Sequence, residues 1–377
     1  MDQSILNPFK MKGIAGEGVF FNRKQEQKTL IQNALGGQHT LLLAPRRFGK
    51  SSLLVRIATE LKQKYSMTIV FVDLFKSSTE EAFLNLIGQE VVKSQRGTLS
   101  QLVATIKKGL PKLAPKISIS PSGEPEFGIS LDSNPLSFKD LEELLLWFDL
   151  NTKLGKKIII FDEIQEICAY DPSGKIEKYL RAIVQHFKNT TVFFSGSLPT
   201  LLKEMFFNRK RAFYQSALRF DLGFVPISEA THYLATKFLL SGDTVPSVLS
   251  ETIAEMSQGH PYYVQLLGFF AWESYVAHKN WGKVTPQEIL KAAFLQERTT
   301  FENAIVVLTP QQRQIFKAIA RDPKQPVTAA YFLRKHNLPG HSSVRKAVIK
   351  LEELGYILKS DEGYFASDPI LSKWWGE

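Results

Sequence analysis

The sequence is poor in the residues that build disulfides and structural metal sites. Among 377 residues there is one cysteine, Cys168, so no disulfide can form within the chain. The seven histidines are scattered and form no cluster with metal-ligand spacing. No base stands beside Cys168 in the sequence, which argues against a thiol nucleophile. Chemistry that depends on protein-bound zinc or on cysteine is therefore not indicated.

Long apolar runs are also missing. No stretch approaches the roughly 20 apolar residues that a membrane helix requires. The first residues, MDQSILNPFK, contain no long apolar run either. We therefore expect a cytoplasmic protein without membrane contact. Hydrophobic residues still make up 44% of the chain, which is enough for a substantial buried core.

Acidic residues are outnumbered by basic ones. The chain has 37 Asp and Glu against 47 Lys and Arg, which gives a formal net charge of +10. A basic protein attracts polyanions such as nucleic acid, although many basic chains bind none. The positive charge is concentrated in residues 91–122 and 203–219. These two runs are candidate surfaces for nucleic acid or for an acidic protein partner.

Short apolar segments alternate with helical patterns over residues 1–225. Residues 40–43, 68–73, 157–162 and 191–195 are predicted to be buried strands. Strands and helices that alternate at this spacing indicate an α/β fold with a parallel sheet covered on both faces. Polar and apolar residues alternate on both sides of PSGEP, which predicts an inserted β-hairpin near residues 115–133.

The rest of the chain changes character twice. Residues 226–300 contain no clear strand, and three helical patterns fit them. Residues 301–377 contain three more helical patterns, followed by the short strand patterns YILK and YFAS on either side of SDEG. Three helices and a two-stranded wing are the elements of a winged-helix domain. We therefore predict three domains, over residues 1–225, 226–300 and 301–377.

Residues 44–51, APRRFGKS, match the phosphate-binding P-loop pattern GxxxxGK[ST] except at Ala44, which replaces the first glycine. The segment follows an apolar strand and opens a helix, which is the context that this motif needs. Backbone N–H groups would cradle phosphates, Lys50 would contact the β- and γ-phosphates, and Ser51 would bind Mg²⁺. The predicted nucleotide-binding residues here are Pro45, Arg46, Arg47, Phe48, Gly49, Lys50, Ser51 and Ser52.

Two acids follow the predicted strand 157–162. Asp162 is predicted to hold Mg²⁺, and Glu163 to polarise the attacking water in ATP hydrolysis. The next strand ends in Ser195-Gly196-Ser197. We predict that Ser195 joins Lys50 and Glu163 as a catalytic residue that contacts the γ-phosphate or the water. Ser197 is the alternative, and it also suits a helix N-cap.

The segments FFNRKQEQ, APRRFGKSSLL, IIIFDEIQEI, FFSGSLPTLLKEMF and GHPYYVQ resemble the archaeal-type P-loop ATPases, which stand near the STAND and origin-recognition ATPases in the AAA+-like group. The resemblance covers nearly the whole chain. It implies a five-stranded parallel sheet of order 5-1-4-3-2 in an ATPase domain, a helical lid over residues 226–300, and ATP or ADP with Mg²⁺ as ligands.

The resemblance also implies roles for residues outside the two motifs. Phe21 and Arg23 match the segment that borders the adenine. Gly259-His260-Pro261 matches the lid motif, in which the residue before proline approaches the phosphates. His260 and Pro261 are therefore predicted to contribute to nucleotide binding. A purely structural role for His260 at the start of a helix remains open.

One departure from the resemblance concerns an arginine after the fourth strand. Archaeal members carry it roughly where this chain has Gln215 or Ser216. Nearby arginines would have to replace it as a γ-phosphate sensor or as a finger toward a neighbouring subunit. The candidates are Arg209, Arg211 and Arg219.

Three functions remain open at this stage. The first is an ATP-driven switch, in which hydrolysis through Glu163 releases a closed lid and winged helix and changes access to a partner or to a second copy of the chain. The second is a nucleotide-gated DNA-binding protein. The third is a scaffold that keeps nucleotide as a structural ligand with negligible turnover.

The DNA hypothesis depends on the third helical pattern of the winged helix. In a helix-turn-helix this element enters the major groove, where basic and small polar side chains contact DNA. Glu352 and Glu353 lie further along the same pattern, so the element also suits a protein-binding surface. The predicted DNA contacts are Ser343, Arg345, Lys346 and Lys350.

Overall fold

The computed structural model describes residues 6–11, 13, 23–94, 114–119, 125–130 and 136–376. The chain forms two compact units. The sheet unit comprises residues 24–44 and 53–222, and the helical unit comprises residues 1–23, 45–52 and 223–377. Residues 45–52, which carry most of the P-loop, therefore group with the C-terminal half of the chain. The domain limits predicted at residues 225 and 300 stay predictions.

The first half of the chain alternates helices and strands, as expected. In chain order the elements are α1 (Lys24–Leu35), β1 (Thr40–Leu43), α2 (Lys50–Tyr65), β2 (Thr68–Asp73), α3 (Glu80–Lys93), β3 (Ala114–Ile119), β4 (Pro125–Ser130), α4 (Phe138–Leu150), β5 (Lys157–Asp162), α5 (Ile167–Tyr170), α6 (Lys175–Val184), β6 (Thr190–Gly196), α7 (Pro199–Phe207) and β7 (Leu218–Asp221).

Five of these strands form one parallel sheet in the order β2-β5-β6-β1-β7. When the five are numbered along the chain, this order is 5-1-4-3-2, so the prediction is confirmed. Strands β1, β5 and β6 are buried along their whole length, because helices cover both faces of a parallel sheet. The edge strand β7 is mostly exposed, which explains why no apolar pattern marked it.

The predicted hairpin is present as the antiparallel pair β3 and β4. Most of the PSGEP turn and residues 131–133 lie outside the described residues, as does most of the basic run 91–122. In the sheet unit the core is apolar and aromatic. Phe161 and Phe194 on neighbouring strands stack with their ring centroids 5.8 Å apart, and each is at most 1% exposed.

The second half of the chain is helical apart from one small hairpin. Its elements are α8 (Ile227–Phe238), α9 (Ser247–Ser257), α10 (Pro261–His278), α11 (Pro286–Val306), α12 (Pro310–Arg321), α13 (Ala330–Lys335), α14 (His341–Glu353), β8 (Ile357–Lys359), β9 (Tyr364–Ala366) and α15 (Pro369–Gly376).

The expectation of three helices in residues 226–300 was wrong, because four helices begin there. Proline marks all four starts: Pro226 and Pro246 are the N-caps of α8 and α9, and Pro261 and Pro286 are the first residues of α10 and α11. Proline suits the first turn of a helix, because the N–H group it lacks has no partner there. Helix α11 also continues past residue 300.

The winged-helix elements agree with the prediction. Helices α12, α13 and α14 are followed by the antiparallel pair β8 and β9. Thr309 starts α12 with a capping box that includes Gln312. Val344, Ala347, Val348 and Leu351 form the buried face of α14, whereas Leu354 is 39% exposed and follows the end of the helix at Glu353. Within the described residues, no helix has the length and apolar character to cross a membrane.

A glycine just before α10 generates a stability prediction. Gly259 has φ +70°, and a Cβ atom there would stand 1.9 Å from the carbonyl oxygen of Val225. Strain and overpacking together should make Gly259→Ala cost about 3 kcal/mol of unfolding free energy. Gly242 has φ +81° but open space around it, so Gly242→Ala should cost only about 1 kcal/mol.

Urea unfolding of both variants, followed by circular dichroism, measures the difference. Equal losses in the two variants would contradict the steric argument, because both positions share the left-handed backbone and only Gly259 faces a carbonyl oxygen.

Candidate functional site

Asp162 ends β5 and is buried at 4% exposure. Its Oδ1 atom accepts a hydrogen bond from the Ser195 hydroxyl at 2.6 Å and one from the backbone N–H of Glu163 at 3.1 Å. Asp162 and Ser195 lie side by side because the residues before them, Phe161 on β5 and Phe194 on β6, are paired in the sheet. Ser195 is fully buried, so in this structure its hydroxyl orients Asp162.

Glu163 follows Asp162 in a left-handed backbone conformation, with φ 56° and ψ 46°. This conformation costs a residue other than glycine roughly 1–2 kcal/mol. Its Oε2 atom accepts hydrogen bonds from the backbone N–H and the hydroxyl of Ser197, at 2.9 and 2.8 Å, and from Nε2 of Gln165 at 2.5 Å. These donors hold the carboxylate in one orientation.

Gln165 is a residue that sequence reasoning missed. It is 3% exposed, and its Oε1 atom has no hydrogen-bond partner among the described residues. The side chain lies against Gly196, where a Cβ atom would stand 1.9 Å from Oε1. Gly196 is therefore needed at the end of β6 to leave room for the amide that contacts Glu163. Nothing in the letters IQE after the acid pair signals this role.

The P-loop segment has the backbone of an anion cradle. Arg47 and Gly49 have positive φ angles of 66° and 80°, and Lys50 opens the 16-residue helix α2 at 5% exposure. Left-handed residues before a helix N-terminus turn successive N–H groups toward one point. Ala44 does not adopt positive φ, so alanine in place of the usual glycine brings no strain.

The remaining predicted residues of this segment differ in their exposure. Ser51 and Ser52 lie half-buried in the first turn of α2, Pro45 is half-buried, and Arg46 is exposed. Phe48 is 1% exposed and packs against Phe224 and His260, with ring centroids 5.0 and 4.6 Å away. The loop is thus anchored by an aromatic side chain next to the positions that are predicted to bind phosphate.

The Arg47 side chain is held within the helical unit. Its Nη1 atom lies 2.8 Å from Oε2 of Glu297 on α11, and its guanidinium stands 4.4 Å from the centre of the Tyr262 ring. The Tyr262 hydroxyl donates to the other oxygen of Glu297. Glu297 is a second site residue that no sequence motif marked.

His260 is the N-cap residue of α10, and Pro261 is the first helical residue. The His260 ring is buried among Phe48, Phe224 and Tyr263. Within the part of the chain that the structure describes, its Nδ1 atom has no hydrogen-bond partner. Burial lowers the pKa of His260 to about 3, so the ring is neutral at physiological pH.

Arg23 is also buried, with φ 68°. Its Nη2 atom donates to the carbonyl oxygens of Gly223, at 2.6 Å, and Phe48, at 3.5 Å. The side chain therefore links the backbone of the P-loop at Phe48 to the backbone at Gly223, the residue before Phe224, whose ring packs against Phe48. Phe21, the other residue predicted from the segment before α1, lies outside the described residues.

The arginines proposed to replace the missing family arginine differ in their surroundings. Arg211 forms an ion pair with Glu177, whose side chain is 3% exposed, whereas Arg219 pairs with exposed Asp221 at 2.6 Å. Arg209 is exposed. Gln215 and Ser216 close the turn after α7. The Gln215 N–H donates to Phe206, and the Ser216 hydroxyl donates to Phe213.

The winged helix presents mixed charge. The predicted contacts Ser343, Arg345, Lys346 and Lys350 are all exposed on α14. Lys350 is paired with Glu353 at 3.1 Å. The turn between β8 and β9 carries Asp361 and Glu362, so acidic groups lie at the tip of the wing.

The surroundings of Cys168 favour the protonated thiol. Burial raises its pKa, and the hydrogen bond from Arg211 only partly offsets this effect. A raised pKa keeps the thiol protonated at neutral pH. Alkylation should therefore accelerate only at pH values above the ordinary pKa of a cysteine thiol. At pH 7.5 we expect iodoacetamide to react with the folded protein slower than with the urea-unfolded chain by on the order of tenfold.

The single cysteine makes this measurement unambiguous by intact mass. Equal rates for the folded and the unfolded chain would contradict the burial argument. A faster reaction of the folded chain would indicate an activated thiol.

Comparison with known proteins agrees with this architecture. Residues 299–377 match a family described as a probable winged helix domain. No curated protein matches the chain. The structure is similar to the Walker-type ATPase PABY2304 of Pyrococcus abyssi, with a TM-score of 0.69 and 19% identity, over 97% of this chain and 99% of that one.

The structure is also similar to ORC2 of Aeropyrum pernix. In the ADPNP–ADP complexes of ORC2 the TM-score is 0.58 and the identity 14%, over 98% of this chain and 96% of that one. In its ADP form the values are 0.52 and 13%, over 98% and 100%. This chain therefore has the fold of Walker-type and origin-recognition ATPases, with a winged helix at its C-terminal end.

Proposed function

We propose that this protein binds ATP and ADP, hydrolyses ATP with Mg²⁺, and acts as a nucleotide-controlled molecular switch. The observation that carries the proposal is the arrangement of Glu163, a carboxylate at the end of a buried strand that three donors hold in one orientation. Asp162 beside it is oriented by Ser195. A general base must be positioned before its basicity matters.

Phosphate binding would fall to the P-loop. Its left-handed residues and the start of α2 fit an anion, and Gly49 has open space where a Cβ atom would stand. Lys50 would neutralise the β- and γ-phosphates, and the N–H groups of residues 45–52 would donate to them. His260 and Arg23, which pack on or donate to Phe48, would keep this segment in shape.

Mg²⁺ would be held by Ser51 and Asp162, whose hydroxyl and carboxylate oxygens suit this hard cation. When bound, the metal supplies charge neutralisation at the phosphates. Glu163 would accept a proton from water or orient it, and Ser197 and Gln165 would keep its carboxylate in position. The likeness to ORC2, solved with ADPNP and ADP, supports nucleotide as the ligand.

Paired substitutions test the assignment. Glu163→Gln should lower ATP turnover at least about 100-fold and leave ATP affinity nearly unchanged, because it removes the base but not the phosphate cradle. Lys50→Ala should lose both turnover and binding. Lys64→Ala is the matched control: Lys64 stands in the same helix, exposed and paired with Glu60, and should behave like the parent.

Turnover is measured with Mg²⁺ by phosphate release, and affinity with a fluorescent ATP analogue. Equal turnover in Glu163→Gln and the parent would reject the catalytic role of Glu163. Bound nucleotide without turnover in the parent would favour a scaffold that retains its ligand.

The second candidate is a nucleotide-gated DNA-binding protein, which the exposed Arg345 and Lys346 on α14 favour. Each phosphate contact adds about 0.9 to the slope of log affinity against log salt. The double variant Arg345→Ala/Lys346→Ala should therefore weaken duplex binding and reduce that slope by about two. Lys64→Ala again serves as the control.

Duplex affinity is measured by fluorescence anisotropy over a salt series, with ATP, with ADP and without nucleotide. An unchanged slope in the double variant would exclude α14 as the DNA contact. A parent that binds no duplex in any of these states would favour a protein partner.

A further inference from the structure

We infer that Glu297 and Tyr262 are positioning residues for nucleotide binding, and that they act through Arg47. The Arg47 guanidinium would serve as an anchor for the P-loop rather than as a phosphate ligand. The inference rests on the proposed function, because it concerns the same phosphate-binding segment. The contacts of Arg47, Tyr262 and Glu297 that carry it all lie within the helical unit.

The backbone of Arg47 needs an anchor. Its φ angle of 66° is left-handed, and this conformation is strained for a residue other than glycine. The strain lies inside the segment that is proposed to bind phosphate. Strained positions persist only when the surrounding structure over-determines them. An arginine held at its far end provides such a restraint.

Glu297 holds the guanidinium end of the Arg47 side chain. Its side chain is 4% exposed and both of its oxygens are engaged, one by Arg47 and the other by the Tyr262 hydroxyl. A buried carboxylate must be paired, and loss of its partner is strongly unfavourable. Although the Arg47 side chain is 42% exposed, its Nη1 atom lies 2.8 Å from the buried carboxylate of Glu297.

Tyr262 completes the anchor and ties it to the lid helices. Its ring lies under the guanidinium at 4.4 Å, and cation–π attraction adds to the ion pair. The next residue, Tyr263, donates to Asp368, which caps α15 of the winged helix. Among the described residues, the titratable groups that interact electrostatically with Arg47 include Glu297, Tyr262, Tyr263, His260 and Asp368.

The test compares Glu297→Gln with Glu302→Gln. Both residues lie on α11, but Glu302 is exposed and pairs with Arg298 along the same helix. Glu297→Gln keeps the shape and removes the charge that holds Arg47. Dissociation constants for ATP and ADP should rise about tenfold in Glu297→Gln and stay unchanged in Glu302→Gln. KM should rise with kcat nearly unchanged, because preorganisation affects ground and transition states alike.

A double-variant cycle identifies the route of the effect. Arg47→Gln alone should weaken ATP binding and lower the melting temperature, since it leaves Glu297 buried without its cation. Adding Glu297→Gln to Arg47→Gln should restore the melting temperature and leave ATP affinity where Arg47→Gln put it. Tyr262→Phe, which removes only the hydroxyl, should weaken binding by a smaller factor and provides a variant that disturbs packing least.

Several results would overturn the inference. Unchanged ATP affinity in Glu297→Gln, with or without a lower melting temperature, would make the ion pair merely structural. Additive losses of ATP affinity in the double variant would mean that Glu297 acts independently of Arg47. If the parent binds ATP and Lys50→Ala does not, these outcomes reject the inference alone. If the parent binds no ATP at all, the proposed function and the inference fail together.

Discussion

A carboxylate removed from water must be given hydrogen-bond donors, and this requirement organises the candidate site. Asp162 accepts a hydrogen bond from the Ser195 hydroxyl, and Glu163 accepts hydrogen bonds from Ser197 and Gln165. In the helical unit the same rule applies to Glu297, which accepts hydrogen bonds from Arg47 and Tyr262. Each acid is therefore oriented before any ligand arrives. The serine at the end of β6 serves the neighbouring acid on β5, which only the register of the sheet could bring about.

Backbone strain lies at the same positions. Arg47 and Glu163 both adopt left-handed conformations without being glycine, and each is held by side-chain contacts of its own. Strain of this kind persists where surrounding contacts over-determine the backbone. At Glu163 the left-handed turn takes the chain out of the strand and into a short helical segment. At Arg47 it bends the loop before α2. Both turns give functional groups directions that a regular element would not allow.

Local patterns predicted the parts of the fold that local physics determines. The P-loop, the acid pair and four of the sheet strands carry apolar runs or motif residues in adjacent positions. The hairpin and the winged helix followed from alternation and helical periodicity. The fifth strand β7 carries no such pattern because its side chains are mostly exposed. Its existence and the strand order came from family resemblance instead.

Partners that are distant in sequence could not be predicted in this way. Glu297 stands 250 residues after Arg47. The sequence around it does not distinguish it from an acid on the solvent-exposed face of a helix. Gln165 is close to Glu163, but its importance depends on a glycine at the end of another strand. Periodicity reports which face of an element is buried. It does not report which buried polar groups meet.

The same distinction decides what the positive charge can do. Of the arginines after β6, Arg211 is paired with Glu177, a buried carboxylate. Removing the partner of a buried charge costs about 3–5 kcal/mol, so Arg211 is committed to the fold. Arg219 pairs with Asp221, and both side chains are about half exposed. Such a pair contributes roughly 0–1 kcal/mol, which a phosphate could replace. Arg219 is thus the better candidate for the role of the missing family arginine, and the net charge of +10 overstates the cationic surface that is free to act.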